Sequence, residues 1–203
     1  MSEIKLNDTQ EMRSSLDGYK QIKPYSSEKI DDVRKSITDD LQNKEIKPDV
    51  DDNGKLYKIA DELIKNNEYE LNGFKYETDD YGRIKSAEGV IETTHADPQR
   101  NMPSMEKVGK GDQKEADHRG HIAAHMFGGK DDIGNLVAMD GKLNETDYKA
   151  WENKLAVAHD SGDEVSLKVD VIYKTDSNRP SEFRCTSIIN GEKDVTVFKN
   201  GEK

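Results

Sequence analysis

Asp117-His118-Arg119-Gly120-His121-Ile122-Ala123-Ala124-His125 places three of the chain's five histidines within nine residues. Glycine directly before His121 removes a side chain, so backbone or a ligand can come close to the chain there. An imidazole titrates near neutrality in its ordinary state, and its neutral form can take a proton from water. Arg119 adds a planar guanidinium fork suited to phosphate oxygens. The cluster therefore reads as proton-transfer chemistry beside an anion site, with His121 as the candidate base.

Downstream runs Gly134-Asn135-Leu136-Val137-Ala138-Met139-Asp140-Gly141-Lys142-Leu143-Asn144. After it, Tyr148, Trp151, Leu155 and Ala158 fall on one face and predict a helix over residues 146–159. Asn144 stands where that helix begins, an N-cap position, and its amide oxygen is also a hard ligand suited to Mg²⁺. Glu152 follows two turns later, so the two residues address the same side of one helix.

Around this block the pattern changes to strands. Residues 69–71 and 74–76 flank Asn72-Gly73, a hairpin signal because both residues tolerate positive φ. A turn at Asp80-Tyr81-Gly82 leads into a strand over 83–91, and a long polar connection with Pro98 and Pro103 occupies 93–116. After the helix come strands at 165–173 and 183–189, the latter paired to 195–198 across Asn190-Gly191. Strands on both sides of a helical block give an α+β fold with an antiparallel sheet.

Residues 1–66 read differently. A polar lead-in precedes a helix at 27–43 carrying Ile30, Val33, Ile37 and Leu41, and Leu56, Ile59, Leu63 and Ile64 suggest a second helix. We therefore expect a short acidic helical segment at 1–66 ahead of the main domain at 67–203. The turn-rich Asp49–Gly54 stretch lacks the later bidentate glutamate of a calcium loop and is expected to be a solvated turn.

Composition bears on partners. The net charge is −11 and the mean hydropathy −1.00, with 36% charged residues against 32% hydrophobic. Acidity alone argues against nucleic-acid binding, which leans on basic surface. It is uneven, however: residues 1–80 hold 13 Lys and Arg against 20 Asp and Glu, and residues 81–203 hold 18 against 22. A bound divalent cation also supplies its own positive field. Cys185 is the single cysteine, so no disulfide forms within the chain. No apolar run reaches membrane-spanning length, and the opening MSEIKLNDTQ is not a signal peptide.

Arg119-Gly120-His121 followed by Asn135, Asn144 and Glu152 resembles the DNA/RNA non-specific endonucleases of the ββα-metal (His-Me finger) superfamily. That family has an Asp-Arg-Gly-His motif, then two asparagines nine residues apart and a glutamate eight residues after the second. The intervals from Asn135 to Asn144 and from Asn144 to Glu152 match. Gly120 to Ala123 and Phe127 to Gly129 are most similar to a subgroup found as C-terminal toxin modules of proteins exported by type VII secretion in Gram-positive bacteria. The resemblance covers about residues 68–200.

It implies His121 as general base, Asn144 as the direct ligand of Mg²⁺ (Mn²⁺ as substitute), and Glu152 holding a metal-bound water. Arg100 matches an upstream arginine that stabilises charge on the phosphate, Arg119 assists substrate binding, and Asn135 belongs with the substrate- and metal-positioning loop. The implied setting is a secreted antibacterial toxin acting on nucleic acid in a target cell's cytoplasm, with a dedicated inhibitor protein and no membrane partner. Two positions depart from the pattern: His118 stands where the family has aspartate, with Asp117 one place earlier, and Ala138-Met139 replaces Pro-Gln. Lys107, Lys110 and Lys114 in the connection offer a guide for the nucleic-acid backbone or a plain charged loop. Two rivals come from other classes. One is a zinc hydrolase on His121 and His125, which would lack the glutamate expected between them. The other is a noncatalytic binding module on the same fold.

Overall fold

The computed structural model describes residues 48–96 and 101–201. Three short strands come first, β1 (Pro48–Val50), β2 (Leu56–Ile59) and β3 (Glu62–Leu63), followed by β4 (Glu68–Leu71), β5 (Phe74–Thr78) and β6 (Ile84–Val90). A one-turn helix α1 (Met105–Gly109) leads to β7 (Asp117–His121), a 3-10 turn (His125–Phe127) and β8 (Leu136–Asp140). Helices α2 (Gly141–Glu145) and α3 (Asp147–Asp160) precede the closing strands β9 (Val165–Tyr173), β10 (Pro180–Ile189) and β11 (Glu192–Lys199).

The largest sheet has six strands in the order β11-β10-β9-β6-β5-β4, with every neighbouring pair antiparallel. Along β9, buried Val165, Leu167, Val169 and Val171 alternate with part-exposed Ser166, Lys168 and Asp170, the period of a half-buried strand. The hairpins at Asn72-Gly73 (φ 51° and 79°) and Asn190-Gly191 (φ 50° and 83°) are tight because both turn positions sit in the left-handed region. Helix α3 buries Tyr148, Trp151 and Leu155, and Tyr148 meets Phe183 of β10 edge to face at 5.8 Å. The core thus lies between the inner face of this sheet and the β7–β8 and helical layer.

The helix expected at 56–64 is absent. The chain instead reverses at Ala60 (φ 54°), so that β3 pairs back onto β2, whose own partner is β1. Of the proposed apolar stripe, Leu56 and Ile59 are exposed and Leu63 is buried, while Tyr57 is 1% exposed. Tyr57 stacks on Tyr69 at 5.0 Å, and Tyr69 on Tyr76 at 5.2 Å. Lys58 bridges Asp49 and Asp132. Tertiary burial of one aromatic outweighs the helical spacing of the flanking aliphatics. Strands β1–β3 therefore belong to the same compact unit as everything after them, Lys47–Lys203. The helix expected at 27–43 lies outside the described residues. The turn before β2 is braced by Asp51, whose carboxylate accepts from the backbone of Asn53, Lys55 and Glu70 at 2.8–3.0 Å. Among the described residues no helix is long and apolar enough to cross a membrane.

Candidate active site

Strands β7 and β8 pair with His121 opposite Leu136 and Asp117 opposite Asp140. The glycine before His121 lets the neighbouring strand, rather than a ligand, come close: a Cβ on Gly120 would stand 2.6 Å from Met139 Cβ. Met139 is itself fully buried, which accounts for the departure at Ala138-Met139 as packing.

The base of the β7 strand is braced by Asp117. Its carboxylate takes both nitrogens of the Arg179 fork, at 2.6 and 2.7 Å, and the Lys114 amide at 2.8 Å. Burial raises the Asp117 carboxyl, but the Arg179 bonds and the backbone donor outweigh it and hold the group below the usual aspartate range. Asn200 adds a second clasp, donating to Ala138 and Pro180 carbonyls and accepting from the Asp140 amide at 2.7 Å. His118, where the family has aspartate, is exposed, with Nδ1 3.5 Å from Glu145 Oε1.

Beyond His121 the loop is pinned from inside. Asn135 is 0% exposed; its amide accepts from Ala123 N and donates to Ala123 O, both at 2.9 Å, and to Lys130 O at 3.1 Å. The backbone N–H and C=O of one residue, Ala123, are thereby both satisfied by a single side chain. Asn135 is a brace for the loop, and its burial corrects its assignment among substrate-contacting residues. Gly129 fits beneath the same loop because a Cβ there would lie 1.9 Å from Ala123 O. Tyr148 Oη donates to Ile122 O at 2.9 Å and fastens α3 to the residue after His121.

His121 is 8% exposed, and its Nε2 lies 2.7 Å from Asp131 Oδ1. A carboxylate only accepts, so Nε2 carries the proton and Nδ1 is the lone-pair nitrogen of the neutral ring. Asp131 Oδ2 in turn accepts from Asn101 N at 2.9 Å. Asp131 was not among the residues expected from the sequence: it sits in a Gly-Gly-Lys-Asp-Asp loop, where no periodicity points its side chain toward His121.

Asn144 is not an N-cap. Asp140 caps α2, accepting from Leu143 N at 3.0 Å, and Asn144 falls inside that short helix. Thr146 (φ −117°, ψ −89°) then breaks the chain direction before α3, so Asn144 and Glu152 lie on consecutive helices. They still share a cleft: a hollow of about 420 Å³ is lined by Arg119, His121, Asn144 and Glu152, with His125, Glu145 and Lys149 among its other walls. An amide oxygen and a carboxylate facing one water-accessible cleft are the hard donors that a magnesium ion uses while keeping most of its own water. Arg119 reaches across the surface and donates to Pro103 O at 3.1 Å.

Arg100 lies outside the described residues. Lys107 is paired with Asp61 and Lys110 with Glu62, so these two lysines are engaged with the β2–β3 region. The His121 and His125 rings meet edge to face at 5.8 Å, and His121 Nε2 is engaged by Asp131. Among the described residues no group of three or more His, Cys, Asp or Glu side chains is arranged to hold a metal.

Known proteins match this arrangement. The chain is 37% identical over 138 residues to the Type VII secretion system protein EssD of Staphylococcus aureus strain USA300, with the same figures for strain NCTC 8325. The match covers 63% of this chain and 22% of EssD, so the chain spans about a fifth of those relatives. Among solved structures, NucA from Streptococcus agalactiae with magnesium bound superposes with a TM-score of 0.52 at 15% identity, covering 82% of this chain and 88% of that one. The metal-free NucA gives 0.50 at 14%, covering 69% and 82%. These neighbours share the fold, a ββα-metal nuclease core beside antiparallel sheet. The sequence profile of the DNA/RNA non-specific endonucleases matches residues 65–191, more than half of the chain, and with these strands and this cleft the chain belongs to that family.

Proposed function

We propose that this chain is a magnesium-dependent endonuclease that hydrolyses phosphodiester bonds of DNA and RNA without reading base sequence. The observation that carries the reading is the convergence of His121, Arg119, Asn144 and Glu152 on one cleft from β7, α2 and α3. His121 Nδ1 takes a proton from water as the water oxygen forms its bond to phosphorus. The bond from phosphorus to the 3′ oxygen breaks, leaving 5′-phosphate and 3′-hydroxyl ends. Asp131 holds the ring in the tautomer this requires and faces the imidazolium once it forms. Arg119 binds a phosphate oxygen, and Arg100 serves the same charge from the preceding loop. Asn144 would hold the metal through its amide oxygen and Glu152 would steady the water around it, with Mn²⁺ as a substitute for Mg²⁺. The ion, when bound, offsets negative charge growing on the phosphate and the leaving oxygen. Contacts of this kind touch phosphate and carry no base information.

Incubation with plasmid DNA and Mg²⁺ tests the reading. Wild-type protein is expected to degrade the plasmid, and EDTA, His121→Ala and Asn144→Ala to stop it. A His121→Ala protein that cuts as fast as wild type would refute the assignment. Intact plasmid at stoichiometric wild-type protein would favour the noncatalytic module instead.

The EssD relatives are named as type VII secretion proteins, and this supports a secreted antibacterial toxin domain that acts in the cytoplasm of a target cell. A producing cell then requires an inhibitor protein that covers the cleft. Cytoplasmic expression of the chain without such an inhibitor is expected to arrest bacterial growth, and His121→Ala to relieve the arrest. Equal growth in both strains would remove the toxin reading while leaving the nuclease reading intact.

A further inference from the structure

Next to the cleft lies a second cavity of about 630 Å³, lined by Met102, Ser104, Met105, Asp117, His118, Arg119 and Asn144. It shares Arg119 and Asn144 with the cleft that holds His121 and Glu152. The two hollows are thus lobes of one groove meeting at the residues assigned to phosphate and metal. The second lobe falls within the ~300–1,000 Å³ range of clefts that seat a small ligand.

Met102 and Met105 give two polarizable thioether side chains, and His118 an exposed imidazole whose Nδ1 is turned toward Glu145. Asp117 of the wall is buried and neutralised by the Arg179 fork, and the exposed Glu145 carboxylate stands 3.5 Å from His118 Nδ1. Thioether and imidazole beside a phosphate site suit the face of a nucleobase, since they offer dispersion and stacking and every base has a π-face. In a continuous duplex that face is covered by its neighbours in the stack.

Resting on the endonuclease reading, we propose that the Met105–His118 lobe seats an unstacked nucleobase adjoining the scissile phosphate, so that single-stranded or locally opened nucleic acid is the preferred substrate. The sugar and phosphate of that nucleotide lie along Ser104 and Arg119, and the base turns onto His118 and Met105. Because stacking is tolerant of base identity, the seat adds affinity for a strand while leaving cleavage sequence-independent.

The test compares two phosphodiesters in the same Mg²⁺ buffer: a fluorescent 12-mer single-stranded DNA and a fluorescent 12-mer of abasic nucleotides, which presents the same phosphates without any base. For Met105→Ala/His118→Ala, kcat/KM on the 12-mer DNA is expected to fall about tenfold further than kcat/KM on the abasic strand. His118→Phe, which keeps a stacking face, is expected to preserve the wild-type ratio. Wild-type protein is also expected to cut the single strand several-fold faster than the same strand annealed to its complement. Equal losses on both diesters, or no loss on either at an unchanged melting temperature, would overturn the base seat while leaving the nuclease standing. A duplex cut as fast as its single strand would overturn the strand preference. Wild-type protein that hydrolyses neither diester would instead sink the endonuclease reading itself.

Discussion

At Asp131, a single 2.7 Å hydrogen bond decides which nitrogen of His121 can act as a base. The carboxylate holds a proton on Nε2 and keeps the ring from rotating, while its second oxygen is fixed by the Asn101 amide. Replacement by alanine leaves the ring free to choose the other tautomer and removes the negative charge facing the imidazolium. Asp131→Ala is therefore expected to lower kcat on plasmid DNA by about 10²-fold, the lower end of what a positioned base contributes, with little change in KM. Asp131→Asn is expected to lose less, because its amide oxygen still accepts from Nε2. Wild-type kcat in the alanine variant would show that the pair is not used. That His121, Asn144 and Glu152 line one cleft was legible through the spacing they share with the endonuclease family. Asp131 was not, because a loop carries no period that points a side chain.

At the scale of elements, the β7–β8 pair is set by two clasps made far along the chain. Asp117 and Arg179 form a buried ion pair, and breaking one partner of such a pair costs about 3–5 kcal/mol. Asp117→Asn is expected to lower stability by an amount of this order at pH 7, read by urea or thermal unfolding. The carboxyl is held below its ordinary range in the folded state, so its contribution is fully present above the unfolded value of about 3.9 and is lost as pH falls through the folded one. The gap between wild type and variant should accordingly narrow when the same melts are run at pH 3. A constant gap across that range would place the stabilisation elsewhere. Element identities were legible where the alternation was unbroken, as along β9 and at the two Asn-Gly hairpins. They failed at 56–64, where Tyr57 is recruited into an aromatic stack by Tyr69, and at Asn144, where Asp140 takes the capping role and a separate short helix forms.

For the whole molecule, we propose that the functional domain begins near Lys47, with β1–β3 as part of it. Removing residues 1–46 is expected to leave the unfolding temperature and plasmid cleavage close to those of the full chain. Removing 1–66 takes away Tyr57 and the Lys58–Asp132 bridge and uncovers Tyr69, and loss of a buried aromatic costs about 3–5 kcal/mol. The shorter chain is therefore expected to melt many degrees lower or to be recovered unfolded. Equal stability of the two truncated chains would place β1–β3 outside the domain. The charge of −11 was a weak guide at this scale, since it says little about the local lining of a groove.

Arg179 and Asn200 have a consequence for timing. The strand bearing His121 leaves the ribosome long before its braces do, since Asp117 precedes Arg179 by 62 residues and Ala138 precedes Asn200 by the same number. A nascent chain halted before residue 179 lacks both clasps and holds the strand that bears His121 through earlier ties such as Tyr148 on Ile122. The pairing of β7 with β8 should therefore tighten late in synthesis, as the last strands emerge.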